Sequence, residues 1–262
     1  MSEATLATGL DSRHLPLRGT YNVRDLGGYL ALGGRVTRWR TLFRSDALHR
    51  LDGEAHAVLG AIGVRTVVDL RSEEEVQRAP DQLSGLSLRV LHRPLYAPRT
   101  PIAVIPRRTL AEIYLSLIDE RPHALVGAVR ELAAPGALPA IVHCTAGKDR
   151  TGMVVALVLS AIGVDHEVIV GDFEVTRRYL HGVFREELAL ASAERGISAD
   201  RIDDMLSIDP DFIVGFLRRL YETFGDAATF LTHYGMTHEE LERLRAGLLT
   251  ERRDGGDDRR HS

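Results

Sequence analysis

The segment Ile141-Val-His-Cys-Thr-Ala-Gly-Lys-Asp-Arg-Thr-Gly152 constrains this chain more than any other part of it. Ala140 to His143 is short and apolar and reads as a strand. Asp149 to Ile162 has helical spacing and stops at Gly163. A strand that runs through a tight glycine loop into a helix gathers backbone N–H groups at the positive end of that helix. Here those groups belong to Thr145, Ala146, Gly147, Lys148, Asp149 and Arg150. Such a loop is an oxyanion cradle and suits a phosphoryl group. Cys144 stands at its start. A free thiol has a pKa of about 8.5, and a helix N-terminus ringed by amides favours the thiolate. Arg150 lies six positions later, and its planar fork can hold two phosphate oxygens. Thr151 is placed to donate its hydroxyl to the sulfur, and His143 to orient the loop. A lone cysteine is more often a small core residue. The company of His143, Gly147, Arg150, Thr151 and Gly152 reverses that expectation. The nucleotide-binding loop Gly-x4-Gly-Lys-Ser/Thr does not fit, because Val142 replaces its first glycine and Asp149 follows Lys148.

The rest of the chain alternates around this segment. Val64–Leu70 and Leu88–Leu95 read as strands. Ser72-Glu-Glu-Glu75 and Thr237-His-Glu-Glu240 are capping boxes that each open a helix. Leu110–Ile118 and Ala124–Leu132 are helical, with Pro122 in a first turn and Gly136 past the end. Asp165 caps a further helix, and Asp209-Pro210 opens another. Strands alternating with helices, then helices alone, predict an α/β domain with a helical C-terminal region. At 262 residues with no evident linker, a single domain over 15–250 is expected. Residues 1–14 and the charged end ERRDGGDDRRHS (251–262) are expected to be flexible.

Composition narrows the partners. A net charge of −4 gives no general attraction to nucleic acid, so a phosphate site needs local positive charge. One cysteine excludes an intramolecular disulfide. The longest apolar run, Met153–Ile162, is too short to span a bilayer, so no integral membrane association is expected. The start lacks a signal-peptide pattern. The default compartment is therefore cytoplasmic, with secretion lacking a cleaved signal as the alternative. The histidines show no ligand cluster, so neither metal nor cofactor is expected. Oligomeric state is left open.

The segment HCTAGKDRTG resembles the signature of protein tyrosine phosphatases. Lys-Asp before the arginine is similar to the atypical bacterial group typified by mycobacterial tyrosine phosphatase B. Asn22-Val-Arg-Asp-Leu-Gly-Gly28, Arg40–Ser45, Val68–Ser72 and VVALVLSAIGVDHEVIVGDF resemble the same group, over about Tyr21 to Leu249. The resemblance implies a cysteine-phosphatase fold: a central, mostly parallel sheet flanked by helices, with C-terminal helices able to form a lid. It implies attack by Cys144 on phosphorus, a phosphocysteine and its hydrolysis by water, without metal. The implied partners are phosphotyrosine proteins or peptides, with phosphoserine, phosphothreonine and phosphoinositides as further substrates. In this group the lysine at 148 is associated with phosphoinositide activity.

The general acid is not where most of the superfamily carries it, because VLHRPLYAPRTP holds no acid. Asp149 and Asp69 are the two replacements. Asp149 either protonates the leaving oxygen or positions Arg150. Asp69 ends a strand, where ligands bind in open α/β sheets, or simply pairs with Arg71 or Arg44. Arg24 and Asp25 are expected to form a buried pair behind the loop, and Arg44 either supports the loop or adds to the positive site. Two other functions were weighed: a phospho-binding module on the same fold, and a rhodanese-like sulfurtransferase. Arsenate reduction is disfavoured for want of a second cysteine.

Overall fold

A computed structural model describes residues 13–96, 110–193 and 198–252. Most of the two expected flexible ends lies outside the described residues. In chain order the elements are β1 (Arg24–Asp25), β2 (Arg35–Thr37), β3 (Leu42–Ser45), α1 (Gly53–Ile62), β4 (Thr66–Asp69), α2 (Glu73–Arg78) and β5 (Arg89–His92). Then follow α3 (Leu110–Glu120), α4 (Pro122–Ala133), β6 (Ala140–His143), α5 (Asp149–Ala161), α6 (His166–Leu180) and α7 (Val183–Ala193). The chain continues with α8 (Ala199–Leu206), α9 (Pro210–Phe224), α10 (Ala227–His233), α11 (His238–Leu248) and β7 (Leu249–Glu251).

Five strands form the central sheet in the order β1-β3-β6-β4-β5. Only β1 is antiparallel; β3, β6, β4 and β5 run parallel. Successive strand residues point to opposite faces, and both faces are covered. Val68 and Val142 pack on one side with α4, α5, α6 and α9. Val67, Phe43 and Ile141 pack on the other with Ala55 and Leu59 of α1. Burial on both faces explains why these strands are continuous apolar runs. The central helix α5 is buried at nearly every position from Thr151 to Ala161. In register, Ser45, His143 and Asp69 lie side by side at the carboxyl edge, so β3, β6 and β4 all deliver their following loops to one place.

The predicted caps form. Ser72 and Thr237 make complete capping boxes, and Asp165 and Asp209 accept from the first turns of α6 and α9. The sequence reading missed β3 and α1, the latter capped by Asp52. Three residues expected in the loose ends are tied into the fold. Arg13 is buried, His14 bridges to Arg24, and Glu251 pairs with Arg35. Among the described residues no helix is long and apolar enough to cross a membrane.

Candidate active site

The loop from Cys144 to Arg150 is built so that its amides have nowhere else to point. Its carbonyls are drawn toward the scaffold. Ala47 N–H donates to Thr145 O (3.1 Å). Asn22 Nδ2 donates to Ala146 O (2.9 Å) and Gly147 O (3.2 Å). Arg44 Nη2 donates to Gly147 O (2.7 Å) and Lys148 O (3.3 Å). A trans peptide directs the next N–H opposite its carbonyl. The N–H groups of Ala146, Gly147, Lys148 and Asp149 therefore face away from Asn22 and Arg44. Gly147 is required here: its φ is +65°, and a Cβ would lie 2.4 Å from Ser45 O. Unlike α1, α2, α6, α9, α10 and α11, α5 starts without a side-chain cap. Its first N–H groups are left for a ligand, at the positive end of the helix.

Cys144 follows β6 directly and is 2% exposed. Arg150 sits one turn into the loop's far side and is held by Glu75, Nη1 to Oε2 at 2.6 Å and Nη2 to Oε1 at 2.7 Å. Thr145 Oγ1 also donates to Glu75, at 2.5 Å. Burial pushes the Glu75 carboxyl up, but Arg150 outweighs it and pulls the pKa down to about 2. Burial likewise opposes the Arg150 charge, and the Cys144 sulfur and Glu75 more than offset that, so its pKa rises. Tyr96 covers this guanidinium at 5.8 Å from its ring centre. The Thr151 hydroxyl is buried and makes no hydrogen bond among the described residues, so the expected bond to the sulfur is not formed. His143 is fully buried, with Nδ1 3.3 Å from the Cys144 carbonyl and Nε2 3.1 Å from Asp81 Oδ2.

The two candidate acids part company. Asp149 lies inside the loop with Oδ1 3.3 Å from Lys148 Nζ. Asp69 lies behind it: Arg71 donates through Nε to Oδ1 (2.9 Å) and through Nη2 to Oδ2 (2.7 Å), and the Arg71 backbone adds a third bond. Burial raises the Asp69 pKa, but Arg71 and His143 prevail and lower it. A general acid must hold its proton near neutral pH, so this environment suits an ion-pair partner. Asp69, Asp81 and His143 also approach one another closely enough to bind a cation. Arg71 already donates to both carboxylates there.

Three expectations need correction. Arg24 does not pair with Asp25, because neighbours in a strand face opposite ways. Arg24 Nε instead bonds Asp172 Oδ1 at 3.0 Å, while Asp25 accepts the backbone N–H of Gly27 and of Arg40. Arg44 lies behind the loop, with Nη1 on Asp172 Oδ2 at 2.5 Å. Lys148 is not a solvated cation beside the cradle. It is wholly buried, and Nζ donates to the Ser207 carbonyl at 3.0 Å. The sequence reading assigned no role to Asp172, Asn22 or Glu75. Asp172 was visible as an acid on the buried stripe of α6, between Ile169 and Thr176. Glu75 was visible only as half of a capping box.

Residues 15–250 match the tyrosine phosphatase family. The triple specificity protein phosphatase PtpB of Mycobacterium tuberculosis is 29% identical, over 90% of this chain and 99% of that protein. A putative tyrosine-protein phosphatase of Cupriavidus necator is 26% identical over 87% of each chain. The crystal structure of P. aeruginosa TpbA is 22% identical over 66% of this chain and 90% of its own, with a TM-score of 0.35.

Proposed function

The chain belongs to the tyrosine phosphatase family, and on that footing we propose that it hydrolyses phosphate monoesters through a phosphocysteine on Cys144. The thiolate attacks phosphorus as the ester P–O bond breaks, and Asp149 gives the leaving oxygen its proton. Water then loses a proton to the Asp149 carboxylate and attacks phosphorus, and the S–P bond breaks. Inorganic phosphate leaves and the thiolate is restored. Amides 145–150 and the Arg150 fork hold the three non-bridging oxygens throughout. The observation that carries this reading is the uncapped start of α5, met by a loop whose carbonyls are all drawn backwards. Asp69 becomes a positioning residue, acting through Arg71 and His143.

Phosphotyrosine in proteins or peptides is the first substrate. The relative in M. tuberculosis carries "triple specificity" in its name, which supports extension to phosphoserine, phosphothreonine and phosphoinositides. Lys148 serves that extension only when the segment bearing Ser207 moves off it. The helices α7 and α8 are accordingly read as a cover. A phosphate-release panel tests all of this, comparing phosphopeptides with phosphoinositides for wild type, Asp149→Asn and Lys148→Ala. Asp149→Asn should lose turnover on every substrate, and Lys148→Ala should lose lipid turnover selectively. Equal rates for all three proteins would refute both assignments.

A further inference from the structure

Far from the catalytic loop, one face of the molecule combines exposed apolar side chains with a basic rim. Leu30 lies opposite Val36 of β2, and Val36 lies opposite Thr250 of β7. Alternation turns Tyr29 and Ala31 inward, where both are buried, and Leu30 and Leu32 outward. Leu30 is 51% exposed and Leu32 74%. Trp39, 47% exposed, lays its indole across Gly28, where an added Cβ would meet the ring at 2.6 Å. Gly28 belongs to the same outward set as Leu30 and Leu32, so the three large side chains share one face. Arg38 and Arg40 flank Trp39 and are exposed, Arg35 opens β2, and exposed Arg252 follows β7. Two acids lie close by. Glu251 is paired opposite Arg35, and Asp25 is buried with its carboxylate taken by backbone N–H groups. The rim is therefore net positive on a chain whose formal charge is −4.

The placement of this face is fixed by α5. The Leu32 N–H donates to Gly163 O at 2.8 Å, just past the C-terminal end of that helix. The catalytic loop enters the other end, and 13 residues of helix separate the two by about 20 Å.

We infer that this face docks the protein on an anionic lipid bilayer. Trp39 sits at headgroup level, Leu30 and Leu32 enter the acyl boundary, and Arg38 and Arg40 meet anionic headgroups. Three side chains are too small a patch for a stable protein interface, which needs about 800 Å² per partner. Shallow insertion beside positive charge needs no such area. The catalytic end is then turned away from the bilayer that holds the protein. This inference does not depend on the catalytic reading.

Trp39 is the only tryptophan in the chain, so its fluorescence reports the face directly. The full chain is titrated with phosphatidylcholine vesicles, with and without phosphatidylserine, whose phosphodiester headgroup offers the catalytic loop no monoester. A blue shift and co-sedimentation are expected with phosphatidylserine alone, weakening as salt is raised. The double variant Arg38→Glu/Arg40→Glu should bind at least about tenfold more weakly, with aryl phosphate turnover unchanged. The inference is overturned by the absence of a shift, by equal binding to both vesicles, or by wild-type binding in the variant. A shift that follows protein concentration without vesicles would also overturn it, in favour of a second copy.

Discussion

At the scale of single residues, the site separates groups that touch the phosphoryl from groups that hold those groups still. Asp69 and Asp149 are the sharpest contrast. Asp149→Asn is expected to lower kcat by roughly 10²–10⁴-fold while leaving stability almost unchanged, the size of a lost general acid. Asp69→Asn should instead destabilise, because Arg71 and His143 lose a buried counter-charge. Breaking such a pair costs about 3–5 kcal/mol, readable by urea denaturation. Asp46 offers a pH test. Burial outweighs its bonds from the Tyr21 and Asn22 N–H groups and raises its pKa to about 6. The folded state thus binds this proton more tightly than the unfolded chain does. The resulting stability is complete below about pH 4 and disappears as pH rises through 6. Asp46→Asn should abolish that fall, worth roughly 3 kcal/mol between those limits. An unchanged pH profile in the variant would contradict the assignment. The sequence showed Cys144 and Arg150 plainly, because a nucleophile and an anion clamp need fixed residue types at fixed spacing. It did not show which aspartate faces the loop, because both stand near a strand end or a helix start, and only the position of Arg71 tells them apart.

At the scale of elements, the loop owes its shape to α6, which sequence reading took as ordinary packing. Asp172 on α6 neutralises both Arg24 and Arg44, and Tyr29 donates to the same carboxylate. Burial works against the Asp172 charge, yet the two arginines hold its pKa far below the usual carboxylate range. Arg44 then carries two loop carbonyls. Asp172→Asn should therefore cost about 3–5 kcal/mol of stability and weaken vanadate binding, although no atom of Asp172 reaches the loop. Weaker stability with intact vanadate affinity would detach α6 from the site. The caps Ser72, Asp165, Asp209 and Thr237 were legible because capping is local chemistry. The brace was not, since Arg24 and Asp172 are 148 positions apart and only the fold brings them together.

At the scale of the whole molecule, the parallel sheet brings three strand ends together and α7–α8 close over them. Tyr21 Oη donates to Glu187 of α7 at 2.5 Å, Arg50 pairs with the same carboxylate, and Phe184 packs edge-on to Tyr21. These contacts fasten the cover to the N-terminal segment. Glu187→Ala should raise kcat/KM for phosphopeptides relative to a small aryl phosphate, as entry of a bulky substrate becomes easier. A parallel change for both substrates would mean that α7 is no gate. The alternating pattern predicted the α/β class, and the resemblance implied the parallel sheet. Neither disclosed that Lys148 lies beneath the Ser207 carbonyl, because burial of a lysine depends on what folds over it.

The central claim is covalent chemistry at Cys144, and acid-quenched mass spectrometry during turnover of an aryl phosphate tests it most directly. The account predicts a phosphoryl adduct on Cys144 in the wild type that builds up further in Asp149→Asn with an activated aryl ester, and no turnover in Cys144→Ser. Turnover by Cys144→Ser, or steady turnover with no adduct on Cys144, would contradict it.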